Sequence, residues 1–483
     1  MSSLRTQYEQ AFGMKDITTP AMAQAITEWS HLYYNQIATE QEDPCQRIAY
    51  TIVHKLTKAT FSEYEVETKD EFAKTIAEAL GGKDSGDDKK KRKRGKKGKK
   101  KRKSIMQKAL LGGVAWVKPV PIKTGDTYTG FGFTVVPRSN VLIFGRTDGE
   151  VTDVGTWELS SEGQWYYTLL ERRTVDDNGY LRIISKLYRS RQNDQLGGQV
   201  PLSTLDKYKD IDEEIIYDTP VGSIGMISLE VPMENCVDGS DDPCAVYAAA
   251  AGLIHNIDHN EAQLNGEFDR GESRIIADAS MLEPVRPTRQ NDDLDDFRAR
   301  NRMELRKHVF VSLEGGEDAG VTIFSPELRN ASFQERKTEY LRNCESLIGL
   351  QRGLLADVQE QERTATEILD SKGDYALSIQ DLQEAWEEMI GELLDLCSTL
   401  GNLYHIPGAD IPEDAVVITW GNGVLYDEDK TWDDMKDQVA RGLMRATKAV
   451  GWKHGMPTDT AEQEEAVRKA WMPEVKELID DED

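Results

Sequence analysis

The sequence has few cysteines and no long apolar run, and each scarcity excludes a class of protein. Only 5 of its 483 residues are cysteine, and an odd number without a Cys-X-X-Cys pair does not favour a disulfide framework. The longest nearly apolar run, Cys244 to Ile254, has 11 residues and is too short to cross a bilayer. The N-terminus lacks the basic-then-apolar pattern of a secretion signal. These features predict a protein with reduced thiols, in the cytoplasm and without a membrane partner.

Common catalytic motifs are also missing. The sequence contains no GxxxxGK[ST] phosphate loop, no GxGxxG turn and no GxSxG nucleophile elbow. Nucleotide hydrolysis, dinucleotide binding and esterase chemistry therefore lose their usual sequence signals. We predict no cofactor and no catalytic residue, and expect a protein that is not an enzyme.

Two groups of residues have the pattern of a metal or acid–base site, and both have simpler interpretations. His255 and His259 stand one helical turn apart, as in a zinc pair, but Asn256 occupies the position of the general-base glutamate. A metal hydrolase built on these histidines stays an alternative. Asp292, Asp293, Asp295 and Asp296 can bind a divalent cation. Acids at the start of a helix are equally favoured by the helix dipole, so we predict no metal site.

Charge is what the sequence has in excess. The formal net charge is −27, which argues against a general phosphate-binding surface. Thirteen of the 59 basic residues lie between Lys89 and Lys103, so 46 remain against 86 acidic ones in the rest of the chain. The sequence describes an acidic body with one local basic segment.

The basic segment has two competing interpretations. It can contact nucleic acid or an acidic partner, which makes an intracellular nucleic-acid-binding scaffold the alternative function, or it can be a solvated insert. It contains no aromatic residue that would stack on bases. No apolar residue interrupts Lys83 to Lys103, so we predict a disordered loop over residues 82–104. The residues offered for contact are Lys89, Lys90, Lys91, Arg92, Lys93, Arg94, Lys96, Lys97, Lys99, Lys100, Lys101, Arg102 and Lys103.

The first half of the chain predicts helices followed by an antiparallel meander. Thr19-Pro20 and Asp43-Pro44 are helix starts, each followed by apolar residues at helical spacing. After Ile105 the runs are rich in β-branched and aromatic residues, and Asn178-Gly179 separates two of them as a hairpin turn would. The predicted strands are 115–120, 131–136, 141–144, 165–170 and 180–188.

The second half predicts two long helices around a small α/β unit, with an acidic break after the second. A helix is expected from Asp242-Pro243 to Phe268, and another from Ser325 through Ile348. Between them lie three short predicted strands, at 274–276, 309–313 and 321–324, and a charged helix at 291–307. The apolar pattern weakens from Ala356 to Arg363 and resumes at a capping box, Thr364 to Glu367. A returning strand at 415–420 and a helical, acidic C-terminus complete the pattern.

This order of parts resembles the portal proteins of tailed bacteriophages, of the type found in phages with long non-contractile tails. The resembling stretches are weak singly, and their order and spacing carry the resemblance, which covers about Thr19 to Trp471. They are Ile105–Lys118, Tyr167–Arg172, Tyr247–Arg274, Glu362–Ile368 and Val417–Ala446. The basic segment is not a feature that we associate with this family.

The resemblance implies an α+β portal-type fold, assembled as a ring of twelve subunits around a DNA channel. It implies the following parts: a wing at 1–242 that includes the basic loop; a first stem helix at 243–268; a clip at 269–324; a second stem helix at 325–353; a tunnel loop at 354–363; a long wing helix and returning strand at 364–430; and a crown with acidic tail at 431–483. The residues expected to face DNA are Ala356, Asp357, Val358, Gln359, Glu360, Gln361, Glu362 and Arg363.

By the same resemblance, the function is passage of double-stranded DNA through one capsid vertex during packaging and ejection. The implied partners are double-stranded DNA, eleven further copies of the chain, the terminase large subunit, the head–tail adaptor, and the major capsid and scaffolding proteins. The implied location is the virion, with the host cytoplasm during assembly. A separate motor protein would hydrolyse ATP, which agrees with the missing phosphate loop.

Overall fold

The chain forms two structural units, and each unit is built from three separate segments of the sequence. The computed structural model describes residues 2–35, 44–81, 89–209, 211–270, 274–278, 310–313, 322–324, 328–356, 365–412, 415–420, 428–454, 456, 458 and 460–472. The first unit comprises Met1–Lys55, Ser104–Val120 and Phe133–Ser371, and the second comprises Leu56–Lys103, Pro121–Gly132 and Lys372–Asp483. Helices and sheets both contribute, so the expected α+β class is confirmed.

The helices and strands of the described residues are numbered here in chain order. The helices are α1 Ser2–Phe12, α2 Pro20–Tyr34, α3 Ile48–Thr60, α4 Glu71–Leu80, α5 Lys89–Gly112, α6 Ala251–Arg270, α7 Asn330–Ile348, α8 Ala365–Leu403, α9 Glu428–Ala440, α10 Ala446–Lys453 and α11 Ala461–Trp471. The strands are β1 Glu65–Thr68, β2 Val114–Thr124, β3 Thr127–Pro137, β4 Val141–Thr147, β5 Glu150–Glu162, β6 Trp165–Val175, β7 Leu181–Ser190, β8 Gly198–Val200, β9 Glu214–Ile216, β10 Ile227–Glu230, β11 Arg274–Asp278, β12 Phe310–Leu313, β13 Thr322–Phe324 and β14 Val416–Thr419.

The first unit is built on a six-stranded sheet. Strands β4 to β8 pair in sequence order, each antiparallel to the next, and β9 pairs with β7. The predicted turn at Asn178-Gly179 joins β6 to β7, with Gly179 at φ 82° and its N–H donating to Asp176. The expected antiparallel meander is therefore confirmed from β4 onward, whereas β2 and β3 belong to a separate three-stranded sheet, in the order β10-β2-β3. Strand β5 was not predicted from the sequence.

Helix α1 packs on this sheet through aromatic rings. Tyr8 is buried with Leu142, and the rings of Phe12 and Phe144 meet edge to face at 5.4 Å. Gly155 of β5 makes this fit possible, because a Cβ there would lie within 3 Å of both phenylalanine rings. Helix α1 itself was not predicted from the sequence. Helix α2 begins as predicted, with the Thr19 hydroxyl accepting from the Met22 N–H.

A buried ion-pair cluster joins β2 to β6. The Glu171 carboxylate accepts from the Lys118 ammonium at 3.2 Å and from the Arg173 guanidinium, which also donates to the Ile224 and Gly225 carbonyls at 3.1 Å. Burial by itself raises the pKa of Glu171, but the two cations overcome that effect and lower its pKa from 4.5 to about 2. The carboxylate therefore stabilises the fold in its charged form.

A first prediction concerns acid stability. Because the Glu171 pKa is lower in the folded chain, its contribution is complete above about pH 4.5 and is lost as the pH falls towards about 2. The linked free energy is on the order of 3 kcal/mol. Glu171→Gln should therefore flatten the fall of the unfolding midpoint between pH 5 and pH 2.5, measured in urea, relative to the unchanged chain. Equal slopes for the two proteins would show that Glu171 does not carry this pH dependence.

Helix α6 begins later than predicted. The sequence prediction placed its start at Asp242-Pro243, but residues 243–247 pack back on the first unit and the helix begins at Ala251 after a 3₁₀ turn. A Cβ at Gly113 would lie 2.1 Å from the Pro243 carbonyl oxygen, so a side chain at position 113 would not fit. The Tyr247 hydroxyl donates to the Trp29 carbonyl at 2.9 Å. These contacts hold the segment in a non-helical path.

A three-stranded sheet lies between α6 and α7 in the sequence. β11 pairs in parallel with β12 and antiparallel with β13, with Ile275 opposite both Phe310 and Ile323. All three predicted strands are confirmed. The predicted helix at 291–307 and the predicted helix start at Ser325 lie outside the described residues, and α7 begins at Asn330.

The second unit is organised around α8, a helix of 39 residues. Trp386 is fully buried on this helix, and the Phe61 and Tyr64 rings pack edge to face against it at 5.0 Å and 6.4 Å. The predicted returning strand, β14, pairs antiparallel with β1, with Val66 opposite Ile418. The long helix and the strand are therefore confirmed. The helical C-terminus is confirmed as α9 to α11, and the acidic tail after residue 472 lies outside the described residues.

The predicted disordered loop over residues 82–104 is wrong from Lys89 onward, because α5 includes the whole basic segment. Lysine and arginine are good helix formers, and like-charge repulsion costs only a few tenths of a kcal/mol per pair. Buried residues fix the later turns, including Arg102, which is 4% exposed, and Ile105. The absence of apolar residues misled the sequence prediction, since the helix is anchored by an arginine. Residues 82–88 lie outside the described part.

The described residues contain neither a disulfide nor a membrane-spanning helix. All five cysteines are free: Cys45, Cys236, Cys244, Cys344 and Cys397. Within the described ranges, no helix combines the length and the apolar character needed to span a bilayer.

Candidate channel segment

The helices α6 and α7 pack side by side through polar contacts. The Lys337 ammonium pairs with Glu261 at 2.9 Å, and the Arg329 guanidinium contacts both oxygens of Glu267 at 3.0 and 2.8 Å. The Asn260 side-chain amide donates to the Phe333 carbonyl at 3.1 Å. The other faces of these helices are largely exposed, and α7 has buried side chains only near its C-terminal end.

That end of α7 contains a buried carboxylate, Glu345, which is 0% exposed. Gly349 ends the helix in the left-handed conformation, at φ 70°, and the chain then turns back. The Glu345 carboxylate accepts from the Gly353 and Ala356 backbone N–H groups at 3.0 Å each, and also from that of Leu355. One acidic side chain therefore satisfies three backbone donors of the turn 350–356.

Two further contacts make this turn rigid. The Lys55 ammonium donates to the Leu354 carbonyl, and Leu350 is buried beside the end of the helix. Burial, and then the neighbouring Glu345 carboxylate, raises the pKa of the Cys344 thiol to about 11. Cys344 is therefore a neutral packing group and a poor nucleophile. We call residues 350–356, held by these contacts, the platform.

The residues predicted to face DNA fall into two groups, one inside and one outside the described part of the chain. Ala356 is 3% exposed and its N–H is bonded to Glu345, so it belongs to the platform and its prediction as a DNA-facing residue is wrong. Asp357, Val358, Gln359, Glu360, Gln361, Glu362 and Arg363 lie outside the described residues. The chain is described again from Ala365, the first residue of α8.

Glu345 was missed by sequence reasoning, although a signal was available. Leu341, Glu345 and Ile348 share one face of the helix, and the apolar pattern that predicted α7 passes over the acid between them. An acid on the apolar face of a helix, four residues before the glycine that can end it, indicates a carboxylate that binds backbone N–H groups. The sequence alone does not say which N–H groups these are.

The predicted contact residues of the basic segment have two different environments. Lys97, Lys99 and Lys100 are exposed, while Lys101 and Lys103 are partly covered. Arg102 points the other way: its guanidinium lies 4.7 Å from the Phe61 ring centre and 4.0 Å from that of Tyr64, and donates to the Gly81 carbonyl at 3.1 Å. Arg102 is therefore a structural anchor, and its prediction as a contact residue is wrong. For positions 89 to 96 only the helical backbone is described.

The helix sits close against the end of α4 at a pair of glycines. A Cβ at Gly98 would lie 2.3 Å from the Glu78 carbonyl oxygen, and one at Gly81 would lie 2.6 Å from the Lys99 nitrogen. Only glycine allows this approach at both positions. With Arg102, the glycines fix which side of α5 faces inward and which side carries the exposed lysines.

The histidine pair is engaged by other side chains. The His255 Nε2 atom lies 2.8 Å from the Glu28 carboxylate, and the His259 Nε2 atom lies 3.0 Å from the Gln263 amide nitrogen. In the described ranges, no group of three or more His, Cys, Asp or Glu side chains is arranged to hold a metal ion. Asp292, Asp293, Asp295 and Asp296 lie outside those ranges.

Comparison with known proteins gives matches in structure alone. No family model matches the chain, and no curated protein matches it in sequence. Its fold is similar to a chain from the virion of the native gene transfer agent (GTA) particle, with a TM-score of 0.42 and 10% identity over 89% of this chain and 93% of that one. It is similar at 10% identity and a TM-score of 0.45 to chains of two GTA necks. The native neck, computed with C12 symmetry, matches over 95% of this chain and 99% of that one, and the empty-particle neck, computed with C6 symmetry, over 93% and 97%.

Proposed function

We propose that this chain is the subunit of a portal ring that conducts double-stranded DNA through one vertex of a capsid during packaging and ejection. The observation that carries the proposal is the order of parts after residue 242: helix α6, a three-stranded unit, helix α7, a rigid turn, and the 39-residue helix α8. This is the order that the resemblance to portal proteins requires. In these terms α6 and α7 are the stem helices, the strands β11 to β13 belong to the clip, and α8 is the long wing helix.

The rigid turn gives the proposed channel loop a defined origin. The Glu345 carboxylate accepts from the backbone N–H groups of residues 353, 355 and 356. The loop therefore starts from a platform that is bonded to the second stem helix. A loop that meets moving DNA gains from such an anchor, because force on the loop is passed to a packed helix and not to a flexible linker. We now place the DNA-facing residues at 357–363.

The charge of that loop suits a conduit. Asp357, Glu360 and Glu362 outnumber Arg363, so twelve copies would bring 36 acids to one ring. Like charge facing phosphate creates no deep binding site along the path, and a spacing near the Debye length of ~8–10 Å leaves part of that repulsion unscreened. The duplex would therefore be able to slide without being held at any one position.

The exposed faces of the stem helices support contact with neighbouring copies. Phe268 of α6 is 45% exposed and Leu347 of α7 is 51% exposed, although both lie on helices that pack together. Closed rings form by head-to-tail contacts between two different surfaces of the same chain. We propose that parts of these faces are covered by the next subunit.

The remaining partners follow from position in such a ring. The clip, at residues 269–324, would be the docking end for the terminase large subunit and then for the head–tail adaptor. The wing and crown would meet the major capsid and scaffolding proteins. Energy for DNA movement would come from the terminase, and the portal itself would hold no cofactor and catalyse no reaction.

Imaging of the purified chain tests this proposal. Negative-stain images at micromolar concentration should show rings with a central hole, and class averages should show one rotational symmetry. A chain that remains monomeric at the highest soluble concentration would contradict the proposal.

A further inference from the structure

Helix α8 carries an acidic stripe along one exposed face. The stripe consists of four exposed acids that follow one another at three, four and seven residues: Asp381, Glu384, Glu388 and Asp395. That spacing keeps them on one side of the helix over 14 residues, or about 21 Å. No lysine or arginine occurs from Gly373 to Asp429, so the helix has no cation of its own to balance the stripe.

Helix α5 has the opposite character. From Lys89 to Lys103 it also rises about 21 Å, and lysine occupies positions 89, 93, 96, 100 and 103, which follow at four and three residues and so share one side of the helix. Arg102 and Gly98 fix the inward side of this helix, so Lys97, Lys99 and Lys100 face solvent in a set orientation. From Lys97 to Lys103 the basic segment therefore presents its lysines from a packed helix with a defined orientation.

Both surfaces are electrostatically unfavourable in a single chain. Burial, and then the neighbouring cations Lys99, Arg102 and Lys58, lowers the pKa of Lys103, which shows that positive charge is crowded there. Like charges at a spacing of four residues likewise destabilise α8. Within the described residues, Lys97, Lys99 and Lys100 form no ion pair with the stripe of their own chain. Each surface would gain from an oppositely charged helix brought from outside.

We propose that the basic segment of α5 in one subunit docks on the acidic stripe of α8 in the neighbouring subunit. The inference rests on the proposed ring, in which head-to-tail contacts would engage one α5 surface and one α8 surface of every subunit. The two stripes are opposite in charge and similar in length. A contact of this kind contributes orientation and association rate more than bulk affinity, and it weakens with salt.

Reciprocal charge reversal tests the contact. The first variant carries Lys97→Glu, Lys99→Glu and Lys100→Glu, and the second carries Asp381→Lys, Glu384→Lys and Glu388→Lys. Each alone places like charges at every interface, so the protein concentration at half assembly, measured by native mass spectrometry, should rise at least about tenfold. An equimolar mixture should restore rings with alternating subunits, because each reversed surface then meets its reversed partner.

The mixture separates the possible explanations. A misfolded variant, or a contact within one chain, would not be rescued by mixing, so failure of rescue overturns the inference. Variants that assemble like the unchanged chain also overturn it. This holds even if the lysine-to-glutamate variant assembles normally and only retains less duplex DNA. A control reversal of exposed acids elsewhere, Asp148→Lys, Glu150→Lys and Glu162→Lys, should leave assembly unchanged. If the unchanged chain forms no ring at any concentration, the proposed function fails and the inference with it.

Discussion

Replacing Glu345 by alanine is expected to release the turn that precedes the proposed channel loop. The substitution leaves three backbone N–H groups without their acceptor: that of Ala356, which is buried, that of Leu355, which is half-buried, and that of Gly353, which is exposed. A buried unsatisfied donor costs about 1–3 kcal/mol and water can bond the exposed one, so the unfolding free energy should fall by roughly 2 kcal/mol. Urea denaturation followed by tryptophan fluorescence measures this change.

The same substitution should also reduce the retention of packaged DNA, because the loop would lose its fixed origin. Particles assembled with Glu345→Ala should retain less packaged DNA than particles with Glu345→Gln, whose amide oxygen still accepts from the turn. Glu335→Ala is the matched control, since Glu335 is an exposed acid on the same helix. A Glu345→Ala chain as stable as the Glu335→Ala chain would show that the carboxylate does not hold the turn.

Reversing the charge of the channel loop is expected to stop DNA passage while leaving the ring intact. In Asp357→Lys, Glu360→Lys and Glu362→Lys, twelve copies would replace 36 acids by 36 cations around the duplex. Phosphate contacts of that number are strong and depend steeply on salt, so DNA should bind where it now slides. We expect packaging to fall at least about tenfold at low salt and to recover partly as salt is raised.

The control for this experiment is the neutral set, Asp357→Asn, Glu360→Gln and Glu362→Gln, which removes repulsion without adding attraction. It should package with an intermediate efficiency and with little salt dependence. Ring yield, measured in parallel by native mass spectrometry, should be equal for all three proteins. Normal packaging by the lysine variant would remove residues 357–363 from the channel wall.

The sequence was sufficient for elements whose signals are local. The Thr19 cap, the Asn178-Gly179 turn and the apolar faces of α7 and α8 predicted their elements, because each depends on neighbours within a few residues. The start of α6 was wrong for the opposite reason. Gly113, more than a hundred residues earlier, holds Pro243 in a non-helical path, and such a contact leaves no pattern around residue 243 itself.

Polar residues with buried roles were the harder part of the prediction. Arg102 appears in the sequence as one more charge in a basic run, yet it stacks on Phe61 and Tyr64. Glu345 likewise appears as a surface acid, yet it is fully buried. The Arg102 guanidinium contacts residues that are distant in sequence, and the Glu345 carboxylate bonds to the turn that follows its helix. Neither contact leaves a pattern around the residue itself, so both side chains were expected to be solvent-exposed. Residues 357–363 stay a prediction from charge and order.

The location of residues 357–363 in the assembled ring tests the central claim most directly. Cryo-electron microscopy of the purified assembly should show a closed ring in which these residues, following the Glu345 turn, lie around the axis at the narrowest part of the channel. Density for a gold label attached at Gln361→Cys should then fall on that axis. A ring in which this segment lies on the outer surface, or an assembly without a central channel, would contradict the account.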